Sequence, residues 1–140
     1  MLSQQETENL IGQAMEARKY SYSPYSGFSV GAALLCKNGQ TFRGCNIENA
    51  AFGPSNCAER TAFFKAVSEG NRDFCAIAIV GGKTGEELNN LTFPCGVCRQ
   101  VMAEFCKPDF LVIVAKSEKE YKVYPLQEIL PHGFGAESLV

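Results

Sequence analysis

Between Phe74 and Val80 the chain runs through seven apolar residues without a polar break. A strand with one face in water alternates apolar and polar residues, whereas an unbroken run of this kind needs cover on both faces. Segments with a helical period lie before and after it, so the run dictates layers, with helices above and below a sheet. The chain's last two strands, Phe110 to Val114 and Tyr121 to Tyr124, are separated only by Ala115 to Glu120. A parallel neighbour needs a crossover of about a dozen residues or more, so this pair is predicted antiparallel. The expected fold class is α/β: a three-layer α/β/α sandwich around a five-stranded mixed sheet.

The other elements follow from local chemistry. Ser3-x-x-Glu6 reads as a capping box that opens a helix. Leu10, Ile11, Ala14, Met15 and Arg18 carry its period, and Tyr22 to Tyr25 end it. Phe28 to Cys36 and Thr41 to Cys45 are predicted strands joined by Lys37-Asn38-Gly39-Gln40, whose Asn-Gly pair signals a hairpin. A loop from Asn46 to Asn56 leads into a helix from Cys57 to Ser68, closed by Glu69-Gly70. Gly81 to Phe93 reads as a polar loop. Its Gly82-Lys83-Thr84 is not a phosphate loop, because Ile77 stands where the partner glycine belongs. A further helix is predicted from Gly96 to Cys106, stopped by Lys107-Pro108.

With 140 residues and no linker or repeat, residues 1–140 are expected to form one domain. Thirteen basic and fifteen acidic residues give a formal charge of −2, with no basic stripe. Affinity for a nucleic-acid polymer is built from clustered cations, so a small, neutral partner is expected. Seven cysteines cannot all pair within the chain. The N-terminus lacks a basic region followed by an apolar run, and no segment approaches membrane-spanning length. Reduced thiols in a cytoplasm, with no membrane partner, are the consistent expectation.

The chemistry concentrates in Cys57-Ala58-Glu59-Arg60 and Pro94-Cys95-Gly96-Val97-Cys98. Two cysteines separated by two residues grip one zinc ion from a single turn, and a distant cysteine supplies a third ligand. A structural zinc site uses about four protein ligands, whereas a catalytic one keeps a position for water. Three sulfurs and a nearby acid therefore point to catalysis. Both segments open helices, whose positive ends favour thiolate, and Arg60 can donate hydrogen bonds to the sulfurs. Other readings stay open. Asn56-x-x-Glu59 also fits a capping box. The cysteines fit inert buried thiols, or a structural knuckle completed by Cys36, Cys45, Cys75 or Cys106.

These motifs match the signature of zinc nucleobase deaminases, and five ordered blocks extend the match over nearly the whole chain. The blocks are Pro24 to Leu34, Gly44 to Ala50, Cys57 to Ala62, Pro94 to Met102, and Leu130 to Phe134. In them the chain resembles the short, homotetrameric, pyrimidine-nucleoside cytidine deaminases. The resemblance implies hydrolytic deamination of cytidine and 2'-deoxycytidine to uridine and 2'-deoxyuridine, a role in pyrimidine salvage. It implies one Zn²⁺ per chain on Cys57, Cys95 and Cys98, hydroxide attack at C4 of the ring, and Glu59 as proton shuttle. It assigns Asn46 and Glu48 to the ribose 3'-hydroxyl, and Phe28 to the face of the base. The Ala58 N–H and the Cys95 backbone are assigned to the base edge. Phe134 is assigned to a neighbouring subunit's pocket, so that active sites are shared within a homotetramer. His132, the only histidine, is expected to be a bystander.

Two positions depart from the family's habit. Phe52 replaces a frequent tyrosine, and Phe63 replaces a smaller aliphatic, which implies local repacking. Three rivals remain at this stage: a deaminase of cytosine-containing antibiotic nucleosides, a nucleotide deaminase, and a non-catalytic zinc module. The Asn46/Glu48 pair and the Phe134 tail favour the plain nucleoside over the first. The lack of a cation cluster near the motifs disfavours the second.

Overall fold

A computed structural model describes residues 1–140. Its helix α1 (Gln4–Arg18) opens with the expected capping box, in which Ser3 and Glu6 exchange hydrogen bonds. The strands are β1 (Phe28–Cys36), β2 (Thr41–Cys45), β3 (Phe74–Lys83), β4 (Leu111–Ala115) and β5 (Tyr121–Pro125). Between them lie α2 (Ala58–Ser68) and α3 (Gly96–Phe105), and after β5 the short α4 (Leu126–Ile129). The sheet order is β2-β1-β3-β4-β5, with β3 and β4 parallel and every other neighbour antiparallel. The β1–β2 turn places Gly39 at φ +93°, a conformation that glycine adopts without strain.

Two apolar clusters cover the two faces, as the Phe74–Val80 run requires. Ile77 and Ile79 pack toward α2, α3 and α4, and Ala76, Ala78 and Val80 pack toward α1. Phe63 of α2 is fully buried, and its ring meets Phe74 edge-on at 5.1 Å and Phe110 at 6.0 Å. The bulkier residue is thus absorbed into an aromatic cluster within the core that α2 and α3 share.

Several boundaries differ from the sequence expectation. β3 runs on through Gly81, Gly82 and Lys83, which pair with Val30, Ser29 and Phe28. Residues 81–83 are therefore strand and not the start of a loop. Thr92 fills the space a side chain at Gly81 would need, at 2.7 Å from an added Cβ. Cys57 is the N-cap of α2 and not its first helical residue. Cys106 has extended backbone and caps α3, two residues ahead of Pro108, whose ring bars a helix from continuing. β4 and β5 each end one residue later than expected, and α4 carries no periodicity of its own to announce it.

Two glycines set the layer spacing. A Cβ on Gly31 would lie 2.1 Å from the Ala14 carbonyl oxygen of α1, and one on Gly44 would lie 2.3 Å from the Ala58 carbonyl oxygen of α2. Gly44→Ala therefore pushes the start of α2, with Cys57 and Glu59, off the sheet. Overpacking of this kind costs about 1–3 kcal/mol. Denaturant unfolding of Gly44→Ala beside Gly53→Ala, where an added Cβ meets nothing within 4 Å, checks it. Equal stability of the two variants would contradict it.

Candidate active site

The elements carrying Cys57, Cys95 and Cys98 meet at two helix starts. Cys57 caps α2 and Cys95 caps α3, in each case without a side-chain cap hydrogen bond, and Cys98 follows in the first turn of α3. The uncapped N–H groups and the aligned dipoles make a positive environment for sulfur. Backbone links fix both turns. Thr61 Oγ1 donates to the carbonyls of Cys45 (3.0 Å) and Cys57 (3.1 Å), tying α2 to the end of β2. Arg99 Nε donates to the Pro94 carbonyl (2.8 Å) and Nη1 to that of Ile129 (2.6 Å), holding the Pro94-Cys95 turn against α4. Thr61 and Arg99 were not singled out from sequence, because their partners are set by tertiary contacts.

The three Sγ atoms lie within 4.8 Å of one another, and Cys57 and Cys95 are 3.8 Å apart. Tetrahedral zinc–sulfur bonds of about 2.3 Å require sulfurs about 3.8 Å apart, so the donor set fits zinc in spacing and in chemistry. No fourth cysteine joins it. Cys36 is a buried thiol and Cys106 a half-buried one, and desolvation pushes both pKa values up, that of Cys106 to about 12. They match the inert reading that the zinc cysteines do not.

Cys57 carries the first negative charge of the set. Its pKa is pulled down to about 5, chiefly by a hydrogen bond from the Cys98 thiol, then by Arg60 and Cys95. Cys98, as the donor in that pair, is pushed up. Arg60 Nη2 stands 3.3 Å from Cys57 Sγ. Burial opposes its charge, but hydrogen bonds to the Cys57 and Cys98 sulfurs outweigh that and hold it protonated. Arg60 Nε is buried without a partner, a donor in reserve beside the sulfurs.

Glu59 is 4% exposed, and no ion pair reaches it. Burial first, and then the Cys57 charge, raise its pKa to about 7. The capping-box reading of Asn56-x-x-Glu59 does not hold: Cys57 is the N-cap, and the Asn56 amide turns to Thr61 Oγ1 at 3.2 Å.

Asn46, Glu48 and Phe28 form a second group beside the first. Asn46 Nδ2 donates to the Phe28 carbonyl at 2.8 Å, and its Oδ1 accepts from the Val30 N–H at 2.9 Å. Glu48 accepts from the N–H groups of Tyr25 (3.0 Å) and Ser26 (3.1 Å) and from the Ser26 hydroxyl. Those bonds, with the Ser26 hydroxyl first, hold its carboxyl below the usual range. Residues 46–48 are themselves pinned between Tyr22 and Asn56 by backbone pairs. Ala58 is fully buried, and Phe28 is partly open at 39%. Phe134 is not brought into this group. Its ring is 59% exposed, and its carbonyl accepts from Gln100 Nε2 at 2.8 Å. One cleft of 660 Å³ lies beside Leu35 and Phe110, and another of 730 Å³ beside Arg18, Ser21 and Thr84.

Residues 4–114 match the family described as the cytidine and deoxycytidylate deaminase zinc-binding region. The chain is 49% identical over 130 residues to a cytidine deaminase of Halalkalibacterium halodurans, covering 93% of this chain and 95% of that protein. It is 46% identical over 134 residues to one of Sporosarcina psychrophila, covering 96% and 95%. A crystal structure of cytidine deaminase from Burkholderia pseudomallei superposes with a TM-score of 0.82 at 45% identity, covering 90% of this chain and 97% of that one.

Proposed function

We propose that this chain, which belongs to the cytidine and deoxycytidylate deaminase family, is a zinc-dependent hydrolase. It converts cytidine and 2'-deoxycytidine to uridine and 2'-deoxyuridine with release of ammonia. The observation that carries the reading is a three-sulfur cluster with no fourth protein ligand, set beside a buried carboxyl. Zinc, when bound to Cys57, Cys95 and Cys98, supplies Lewis acidity and acidifies the water that adds to C4 of the ring.

The chain's own residues do the rest. Glu59 takes a proton from that water and delivers it to N3, then takes the second proton from the hydroxyl added at C4 and gives it to the departing amino group, so water is consumed and ammonia released. A carboxyl poised near pH 7 suits both directions of transfer. Arg60 offsets the excess negative charge of three thiolates through its contact with Cys57. The Ala58 N–H, at the uncapped start of α2, and the Cys95 backbone read the base edge. Phe28 packs on the base, and Asn46 with Glu48 takes the ribose 3'-hydroxyl.

The exposed Phe134 ring, on a segment whose backbone is tethered to α3, supports a homotetramer in which this aromatic completes a neighbour's site. Light scattering tests the assembly, and a fully active monomer would remove it. Seven unpaired thiols support a reducing compartment, the cytoplasm, where the reaction returns pyrimidine nucleosides to use. No helix is long and apolar enough to cross a membrane. Following absorbance and ammonia in zinc-loaded protein with cytidine tests the reading as a whole. The expected result is stoichiometric uridine, and absence of turnover would leave the non-catalytic zinc module standing.

A further inference from the structure

We infer that Ser21, whose hydroxyl joins a cluster of hydroxyls to Asn46, is a positioning residue for the sugar contact. The inference rests on the assignment of Asn46 and Glu48 to the ribose hydroxyl given above. Asn46 Oδ1 can only accept, and it accepts from the Val30 N–H and from the Ser21 hydroxyl. A flipped amide would set its NH₂ against the Val30 donor and its oxygen against the Phe28 carbonyl, so one orientation is fixed.

Ser21 has a single hydroxyl proton, which it directs at Asn46 Oδ1, with Ser23 Oγ a second, longer acceptor at 3.2 Å. Ser23 Oγ is in turn hydrogen-bonded to the hydroxyls of Ser29 at 3.0 Å and Thr84 at 3.2 Å. Ser29, 5% exposed, and Thr84 are 2.7 Å apart. Hydrogen-bonded hydroxyls in a cluster polarise one another and hold more firmly than separate pairs. The far end is anchored by Arg18 of α1, which donates to the carbonyls of Ser29 (3.0 Å), Lys83 (2.7 Å) and Glu86 (3.2 Å).

The anchored amide has one N–H left over, and Glu48, already accepting from Tyr25 and Ser26, retains lone pairs. A donor and an acceptor side by side recognise a group that both accepts and donates, which is a hydroxyl. Without the Ser21 hydroxyl, Asn46 Oδ1 keeps one donor instead of two, and the amide loosens. Only a substrate carrying the matching hydroxyl registers the difference.

The experiment compares cytidine with 3'-deoxycytidine on wild type, Ser21→Ala, Ser21→Thr and Thr84→Val, with thermal midpoints measured alongside. Ser21→Ala is expected to lower kcat/KM for cytidine about 3- to 10-fold, chiefly through KM, the loss of one hydrogen bond. It is expected to leave 3'-deoxycytidine turnover unchanged, and Ser21→Thr restores the preference. Thr84→Val, at the exposed end of the cluster, shows a smaller loss in the same direction. Equal losses on both substrates, or no loss on cytidine, overturn the inference while leaving the deaminase reading intact. A wild type that turns over neither nucleoside overturns both.

Discussion

Glu59→Gln is expected to fold, bind one zinc per chain and lose about 10²- to 10⁴-fold in cytidine turnover, the scale of a positioned general acid–base. The substitution keeps the volume and planarity of a side chain that is 4% exposed, so packing is preserved. It removes the one group near the sulfurs that burial holds at a pKa of about 7 and that can carry a proton in both directions. Glu59 stands outside the sulfur cluster, so zinc content should not fall with activity. Steady-state kinetics with elemental analysis of the same sample decide the matter. Near-normal kcat in zinc-loaded Glu59→Gln would end the proton-shuttle role, and loss of zinc together with activity would recast Glu59 as a ligand.

Cys98→Ala is expected to abolish both zinc retention and activity. Cys98 is 1% exposed and belongs at once to the sulfur cluster and to the core that α3 shares with α2. Two sulfurs on two helix starts remain, too few for a stable site. A ligand that binds only the folded chain stabilises it by about 4 kcal/mol at a thousandfold excess over its Kd. Wild-type protein should therefore lose thermal stability on chelation, whereas Cys98→Ala should be insensitive to chelator. Calorimetry with and without chelator reads this directly. A variant that still gains stability from zinc would show that Cys98 is not a ligand.

The helices and strands were legible wherever periodicity or turn chemistry acts locally. Ser3 and Glu6 announced α1, and the Phe74–Val80 run announced the central strand with its two covered faces. The extension of β3 through Gly81 and Gly82 was not legible. Those glycines are strand only because Val30 and Ser29 stand across from them. The zinc cysteines were readable because a metal fixes both spacing and residue type. Glu59 had two readings, and the cap on Cys57 removes the capping-box one. Ser21, Thr61 and Arg99 left no trace in the sequence, since their meaning lies in partners 25, 16 and 30 residues away.

The two near-contacts at Gly31 and Gly44 bear on how this enzyme can change its substrate. The hairpin that starts at Phe28 and runs out into Asn46 is clamped between α1 and α2 with no room for even a methyl group at those glycines. Adaptation to a bulkier or altered sugar therefore has little scope along that ribbon. New specificities, natural or engineered, should arise in the connecting segments at 22–27 and 49–55, where exposed Tyr25 and Phe52 are free to vary.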